Sequence, residues 1–134
     1  MKSFQTATIY VVDDDDAVRD SMRALLESHG LTVRDYSSAL HFLSDNDDDL
    51  RAKGSIHGCL LLDLHMPGMN GVELLERLKE MENLLPVIVF TGRADAVLRN
   101  RVMQAGACAL LEKPVNEDDL KREIGRTLRG KALD

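Results

Sequence analysis

Five short apolar runs alternate with segments of helical spacing along this chain of 134 residues, and this alternation restricts the fold more than any other feature. Strands that alternate with helices form parallel sheets with right-handed crossovers and helices on both faces. We therefore predict an α/β fold, a three-layer sandwich around a five-stranded parallel sheet. The predicted strands are 8–12, 31–36, 59–63, 86–90 and 109–112, and a helix is predicted after each of them.

Polar side chains stand where four of these strands end. Asp13 and Asp14 follow the first strand, and Asp63 ends the third. Thr91 follows the fourth strand and Lys113 the fifth. In open parallel sheets the carboxyl ends of the strands border the functional crevice. The sequence therefore places three carboxylates, one hydroxyl and one ammonium group in a single crevice.

This set of groups suits the transfer of a phosphoryl group to a carboxylate. Clustered carboxylates repel one another, and a divalent cation relieves that repulsion. Oxygen ligands in an open crevice favour Mg²⁺. Asp63 would then be the nucleophile, while Thr91 and Lys113 would stabilise the phosphoryl oxygens. Each residue also has an ordinary explanation, since Thr91 could cap the next helix and Lys113 could be a surface lysine.

The combination resembles the receiver domain of two-component response regulators, the CheY-like family, over nearly the full length of the chain. The matching motifs are Val11-Val12-Asp13-Asp14, the segment 62–71, Phe90-Thr91-Gly92 and Glu112-Lys113-Pro114. The resemblance implies the flavodoxin-like (βα)5 fold with strand order 2-1-3-4-5. It also implies a single receiver domain over 1–134, with flexible ends at about 1–6 and 130–134.

The resemblance further implies a phosphorylation-activated signalling switch. Asp63 would accept a phosphoryl group from a histidine kinase or a histidine phosphotransfer protein. Asp13, Asp14, Asp63 and the backbone carbonyl of His65 would bind Mg²⁺, with Asp13 acting mainly through a water. Such a domain is not an enzyme in the ordinary sense, because its own reactions are Mg-dependent autophosphorylation and autodephosphorylation.

Two positions depart from the pattern of the family. Leu110 stands where the family usually has Tyr or Phe, and Val115 follows Pro114 where Phe or Tyr is common. The resemblance assigns the conformational switch to Thr91 and residue 110, so we expect a reduced side-chain change at Leu110. The surface of the fourth helix, the fifth strand and the fifth helix is expected to bind a second copy of the chain or a protein effector.

His65 and Arg93 lie just beyond Asp63 and Thr91, where the resemblance places side chains that flank the path of a hydrolytic water. One hypothesis is that they shield the phosphoryl group and prolong its lifetime. Two alternatives stay open. A neutral His65 would orient the water and speed hydrolysis, or Arg93 would simply point into solvent.

Composition restricts the setting of this function. The net charge of −6 argues against direct binding of nucleic acid, and no apolar run is long enough to suggest a membrane partner. Cys59 and Cys108 lack metal-site spacing and are expected to be buried or half-buried thiols, which indicates the cytoplasm. The acidic segment 45–49 is expected to be a solvated loop or helix end rather than a cation site.

Proteins of two other classes remain as alternatives. A haloacid-dehalogenase-like phosphatase also uses a nucleophilic Asp, and Asp13-Asp14-Asp15 formally fits its Asp-x-Asp motif, but the Gly-Thr or Gly-Val that usually follows is missing. A non-phosphorylated interaction module is the second alternative. The segments 69–71 and 88–93 resemble regulators with a helix-turn-helix output domain. We expect a stand-alone receiver that acts through protein contacts, and a fragment of a longer regulator stays open as the alternative.

Overall fold

The computed structural model of the chain describes residues 7–52 and 57–133. These residues form the predicted three-layer α/β sandwich. Flexible ends are expected at 1–6 and 130–134. Of these, 1–6 and 134 lie outside the described residues, and the backbone of 130–133 continues the last helix. None of the described helices has the length and apolar composition needed to cross a membrane.

Strands and helices alternate along the chain as predicted. The elements are β1 (Thr8–Val12), α1 (Asp16–Ser28), β2 (Thr32–Tyr36), α2 (Ala39–Arg51), β3 (Gly58–Asp63), α3 (Gly71–Glu80), β4 (Val87–Thr91), α4 (Ala96–Gln104), β5 (Ala109–Glu112) and α5 (Glu117–Leu133). The strands pair in parallel in the order β2-β1-β3-β4-β5. This order confirms the flavodoxin-like (βα)5 fold.

The sheet separates two hydrophobic clusters, because successive side chains along a strand point to opposite faces. Ile9 and Val11 of β1 pack with residues of α1 and α5, whereas Tyr10 and Val12 pack with residues of α2, α3 and α4. The strands β3 and β4 are buried along their whole length, which explains their continuous apolar sequences. The more polar β2 lies at one edge, as predicted.

Short polar side chains fix the helix N-termini by accepting hydrogen bonds from backbone N–H groups that have no partner within the helix. The capping residues are Asp15 for α1, Ser38 for α2, Asn70 for α3, Asp95 for α4 and Asn116 for α5. Asp95 therefore takes the role that Thr91 would have had under its ordinary explanation. The hydroxyl of Thr91 is left for other contacts.

The loop between β3 and α3 packs closely against the end of β3. A Cβ atom at Gly71 would lie 2.7 Å from Cα of Leu64 and 2.8 Å from the carbonyl oxygen of Asp63. The N–H of Gly71 donates to the carbonyl of Leu64 at 3.0 Å. Glycine is required here because no side chain fits the approach. This contact keeps the residues that follow Asp63 close to the end of the strand.

One expectation from the sequence needs correction, and a second is narrowed to one of its alternatives. Cys59 is buried as expected, but Cys108 is exposed, because it precedes β5 in a surface turn and does not enter the sheet. The acidic segment 45–49 lies in the C-terminal half of α2, which agrees with the helix end that is one of its two expected locations. Within it Asn46 is buried, and its side-chain amide donates to the carbonyl of Phe42 at 2.8 Å.

Candidate functional site

Four strand ends meet at one edge of the sheet. Lys113, directly after β5, places Nζ 3.2 Å from Oδ2 of Asp13 and 3.3 Å from Oδ1 of Asp63. Carboxylate oxygens of Asp13, Asp14 and Asp63 lie within 4.8 Å of one another. The backbone N–H of Lys113 donates to the carbonyl of Thr91 at 2.7 Å. The structure thus brings together the five residues that the sequence placed in one crevice.

The two aspartates that follow β1 differ in their surroundings. Asp13 is 1% exposed; it accepts the N–H of Asp15 at 2.8 Å and the ammonium of Lys113. Asp14 is exposed, and among the described residues it has neither a hydrogen bond nor an ion pair. Asp13 is therefore tied to protein groups, whereas the carboxylate of Asp14 is free to bind a ligand from solution.

Arg19 fixes the backbone at this turn, a role that the sequence analysis missed. Its Nη1 donates to the carbonyl of Asp13 at 2.8 Å, and its Nε donates to Asp35 at 3.3 Å. The side chain of Arg19 is only 14% exposed. An arginine early in the helix that follows an acidic pair was the available signal, but it does not tell which carbonyl the guanidinium will reach.

Burial and charge have opposing effects on Asp63, the last residue of β3. Burial raises the pKa of the Asp63 carboxyl and the nearby Asp13 raises it further, while Lys113 and the backbone N–H of His65 act in the opposite direction without cancelling the rise. Burial lowers the pKa of Lys113, but the charges of Asp13 and Asp63 outweigh it, so that this pKa is raised. Lys113 therefore stays an ammonium ion between two carboxylates.

The donor set of the cluster fits a hard divalent cation. Three carboxylates face one ammonium group, so the cluster carries excess negative charge. Mg²⁺ prefers oxygen ligands and is usually held by one or two carboxylates with waters. Among the described residues, Asp13, Asp14 and Asp63 form the only group of three His, Cys, Asp or Glu side chains close enough to share an ion. The acidic segment 45–49 contains no such group.

The side chain of His65 contacts the hydroxyl of Thr91. Nε2 of His65 lies 3.1 Å from Oγ1 of Thr91, and the backbone N–H of His65 donates to Oδ1 of Asp63 at 3.4 Å. Arg93 meets the same hydroxyl only through its backbone, whose N–H and carbonyl both lie 3.3 Å from Oγ1. Arg93 itself is exposed, and among the described residues its side chain has no hydrogen bond or ion pair, which favours the interpretation that it points into solvent.

The side chain of Leu110 is buried against one face of the sheet rather than exposed at the surface. Its side chain is 4% exposed and belongs to the cluster that packs under α2, α3 and α4. It stands beside Val89 of β4, two residues before Thr91. This inward position agrees with the expectation of a reduced side-chain change, and the switch role of Leu110 stays a prediction.

The geometry of the site agrees with a comparison to known families. Residues 9–125 match the family model described as the response regulator receiver domain. The chain belongs to this family. It is 39% identical over 121 residues to the transcriptional regulatory protein FixJ of Bradyrhizobium diazoefficiens, covering 90% of this chain and 56% of that protein. It is 35% identical over 127 residues to the response regulator protein TodT of Pseudomonas putida, covering 95% and 53%. The receiver therefore spans about half the length of these relatives.

Solved receiver structures share the fold. The crystal structure of FixJ-N is 34% identical, has a TM-score of 0.81 and covers 96% of each chain. The response regulator StyR is 38% identical, has a TM-score of 0.83 and covers 95% of this chain and 61% of its own. The receiver is thus a phosphorylation-activated signalling switch rather than an ordinary enzyme. The phosphatase and the non-phosphorylated module are not favoured.

The raised pKa of Asp63 predicts that its ionised carboxylate lowers the free energy of unfolding. A carboxyl whose pKa is raised by folding is harder to ionise in the folded state than in the unfolded state. The resulting loss of folding stability is therefore complete at neutral pH and disappears below the ordinary pKa of Asp. Asp63→Asn should therefore unfold at a higher urea concentration than wild type at pH 7 in chelator-treated buffer. The gain should shrink as the pH falls.

Asp20→Asn is the matched control, since Asp20 is an exposed residue of α1 and loses the same unit of charge. Its unfolding midpoint should stay close to that of wild type. Equal midpoints for Asp63→Asn and Asp20→Asn would contradict the proposed balance of burial and repulsion at Asp63.

Proposed function

We propose that Asp63 is the phosphoryl acceptor of this receiver, with Thr91 and Lys113 as the groups that stabilise the transferred phosphoryl oxygens. The observation that carries the proposal is the position of the Lys113 ammonium, 3.3 Å from the Asp63 carboxylate at the end of a fully buried strand. A fixed cation beside the acceptor stabilises charge on the phosphoryl group without reorganisation.

The chemistry assigned to Asp63 is a simple displacement. An oxygen of its carboxylate forms a bond to phosphorus, and the bond from phosphorus to the donor breaks, with the electron pair leaving on the donor. The donor is the imidazole of a phosphorylated histidine on a histidine kinase or a histidine phosphotransfer protein. Lys113 donates hydrogen bonds to the phosphoryl oxygens, and Thr91 supplies one more from its hydroxyl.

Mg²⁺ belongs to this proposal as the ion that neutralises phosphoryl charge when it is bound. Asp14 and Asp63 would bind it with their carboxylates, and the backbone carbonyl of His65 would be a third ligand. Asp13, which already accepts Lys113 and the N–H of Asp15, would act mainly through a water. Support comes from the closeness of the three carboxylates and from the unpartnered, exposed position of Asp14 among the described residues.

Output is assigned to the surface formed by α4, β5 and α5. The helix α4 buries only Val102 among its residues, while Val97 is 79% exposed and Met103 is 43% exposed. A helix so loosely held can move at low cost when Thr91 changes its partner. A second copy of the chain or a protein effector would bind there. One receiver domain over 1–134 and a cytoplasmic location complete the proposal.

Labelling with a small phosphodonor tests the acceptor. Incubated with acetyl phosphate and Mg²⁺, the protein should gain one phosphoryl group by intact mass, and Asp63→Asn should gain none. Asp14→Asn or a chelator should slow labelling severely, whereas Asp13→Asn should do less harm. Labelling that persists in Asp63→Asn would refute the assignment, and sustained hydrolysis of a generic phosphomonoester would instead favour the phosphatase.

Arg19 should matter for the affinity of Mg²⁺, although it does not bind the ion. Groups that orient metal ligands are commonly worth about 10-fold in affinity, and Arg19 holds the backbone carbonyl of Asp13. Arg19→Lys keeps the charge but cannot reproduce the planar fork, so the Kd for Mg²⁺ measured by calorimetry should rise by about this factor.

Arg23→Lys is the control for this experiment. Arg23 also pairs with Asp35, at 2.7 Å, but it has no hydrogen bond to Asp13. Its substitution should leave the Kd for Mg²⁺ close to that of wild type. An unchanged Kd in Arg19→Lys, or equal losses in both variants, would show that Arg19 does not position the metal ligands.

A further inference from the structure

The hydroxyl of Thr91 has three polar neighbours and a single proton. The neighbours are the backbone N–H and carbonyl of Arg93, each 3.3 Å away, and Nε2 of His65, 3.1 Å away. The N–H of Arg93 donates to the hydroxyl oxygen. The hydroxyl proton then has two acceptors to choose from, the carbonyl of Arg93 and the ring nitrogen of His65, and the ring nitrogen is the nearer one.

A phosphoryl group on Asp63 changes this arrangement, because its oxygens accept hydrogen bonds and donate none. To bind them, Thr91 must turn its one proton away from its present acceptor. Thr91 is 0% exposed, so its hydroxyl exchanges one acceptor for another, whereas His65 is exposed and its released Nε2 can be hydrated. The group that accepts the Thr91 hydroxyl proton in the resting state therefore affects how easily Thr91 rearranges toward a phosphoryl group.

We propose that the Thr91 hydroxyl donates its proton to Nε2 of His65 in the resting receiver, so that His65 and the phosphoryl group compete for it. His65 is then a positioning residue, which acts on the acceptor through Thr91. This inference rests on the assignment of Asp63 as acceptor and deepens it by naming what restrains the switch.

The backbone around His65 makes this competition specific. The N–H of His65 donates to Oδ1 of Asp63 at 3.4 Å, and the loop that carries it is pinned by the close approach of Gly71 to Leu64. The imidazole is thus presented from a fixed loop directly beside the acceptor. His65 therefore contacts both Asp63, through its backbone, and Thr91, through its ring, so a structural change at either residue affects it.

The expected effect follows from linkage between conformation and binding. A hydrogen bond made only in the resting state lowers the apparent affinity for any ligand that requires it to break. The net contribution of one neutral hydrogen bond corresponds to about a 3- to 10-fold change in affinity. Removing the ring nitrogen should therefore strengthen binding of a phosphoryl mimic by about this factor.

The test is the Kd of beryllofluoride in the presence of Mg²⁺, followed by amide chemical shifts. His65→Phe keeps a planar ring and removes the acceptor, so its Kd should fall by about 3- to 10-fold. His65→Gln keeps an acceptor and should stay near wild type. In a Thr91→Val background, which lacks the hydroxyl, His65→Phe should have no effect, because the coupling runs through that hydroxyl.

A second measurement examines the resting hydrogen bond without any phosphoryl mimic. In the ¹⁵N spectrum at a pH where imidazoles are neutral, Nδ1 of His65 should carry the ring proton and Nε2 should accept. A proton found on Nε2 would overturn the proposal. Thr91→Val should shift the Nε2 resonance, and Arg93→Ala, which leaves the backbone in place, should not.

The other outcomes separate this proposal from the assignment of the acceptor. If His65→Phe leaves the Kd unchanged or weakens binding, His65 does not restrain Thr91. If the same gain appears in the Thr91→Val background, the effect is steric and the competition is refuted. If beryllofluoride binds wild type and Asp63→Asn equally, the assignment of Asp63 fails, and the ¹⁵N result still decides which nitrogen accepts the Thr91 proton.

Discussion

The ammonium of Lys113 between Asp13 and Asp63 is the interaction on which the rest of the site depends. Two carboxylates that are 1% and 4% exposed would repel each other strongly without a cation between them. Lys113 reaches Asp13 across 100 positions of sequence, and the parallel sheet makes this meeting possible because β1, β3, β4 and β5 all end at the same edge. The raised pKa of Asp63 shows that one lysine does not fully compensate the burial and the repulsion.

This incomplete compensation connects the fold to the function. A site with excess negative charge favours a divalent cation. In the proposed function, this ion and the ammonium of Lys113 would together stabilise a phosphoryl group. Stability lost at the strand ends is offset by the two hydrophobic clusters on the faces of the sheet, where β3 and β4 are wholly buried. The sheet holds Asp63 and Lys113 in place, whereas α4 buries only Val102 among its residues.

The sequence predicted the sheet and the five converging residues because those features depend on local patterns. Apolar runs such as 87–90 define strands, and strand ends in a parallel sheet share one edge. Contacts made by long or flexible side chains were not predictable, because their direction is set by packing. The sequence did not indicate that Arg19 reaches the carbonyl of Asp13, that His65 contacts Thr91, or that Cys108 faces solvent.

In the proposed function, a phosphoryl group on Asp63 changes the conformation of the output surface of α4, β5 and α5 through Thr91. Amide chemical shifts recorded with Mg²⁺ alone and with Mg²⁺ plus beryllofluoride test it most directly. Beryllofluoride is expected to shift the amide resonances of His65 and Thr91 and also those of α4, β5 and the start of α5. Shifts confined to the loop of Asp13 and Asp14, with α4 and β5 unchanged, would contradict it.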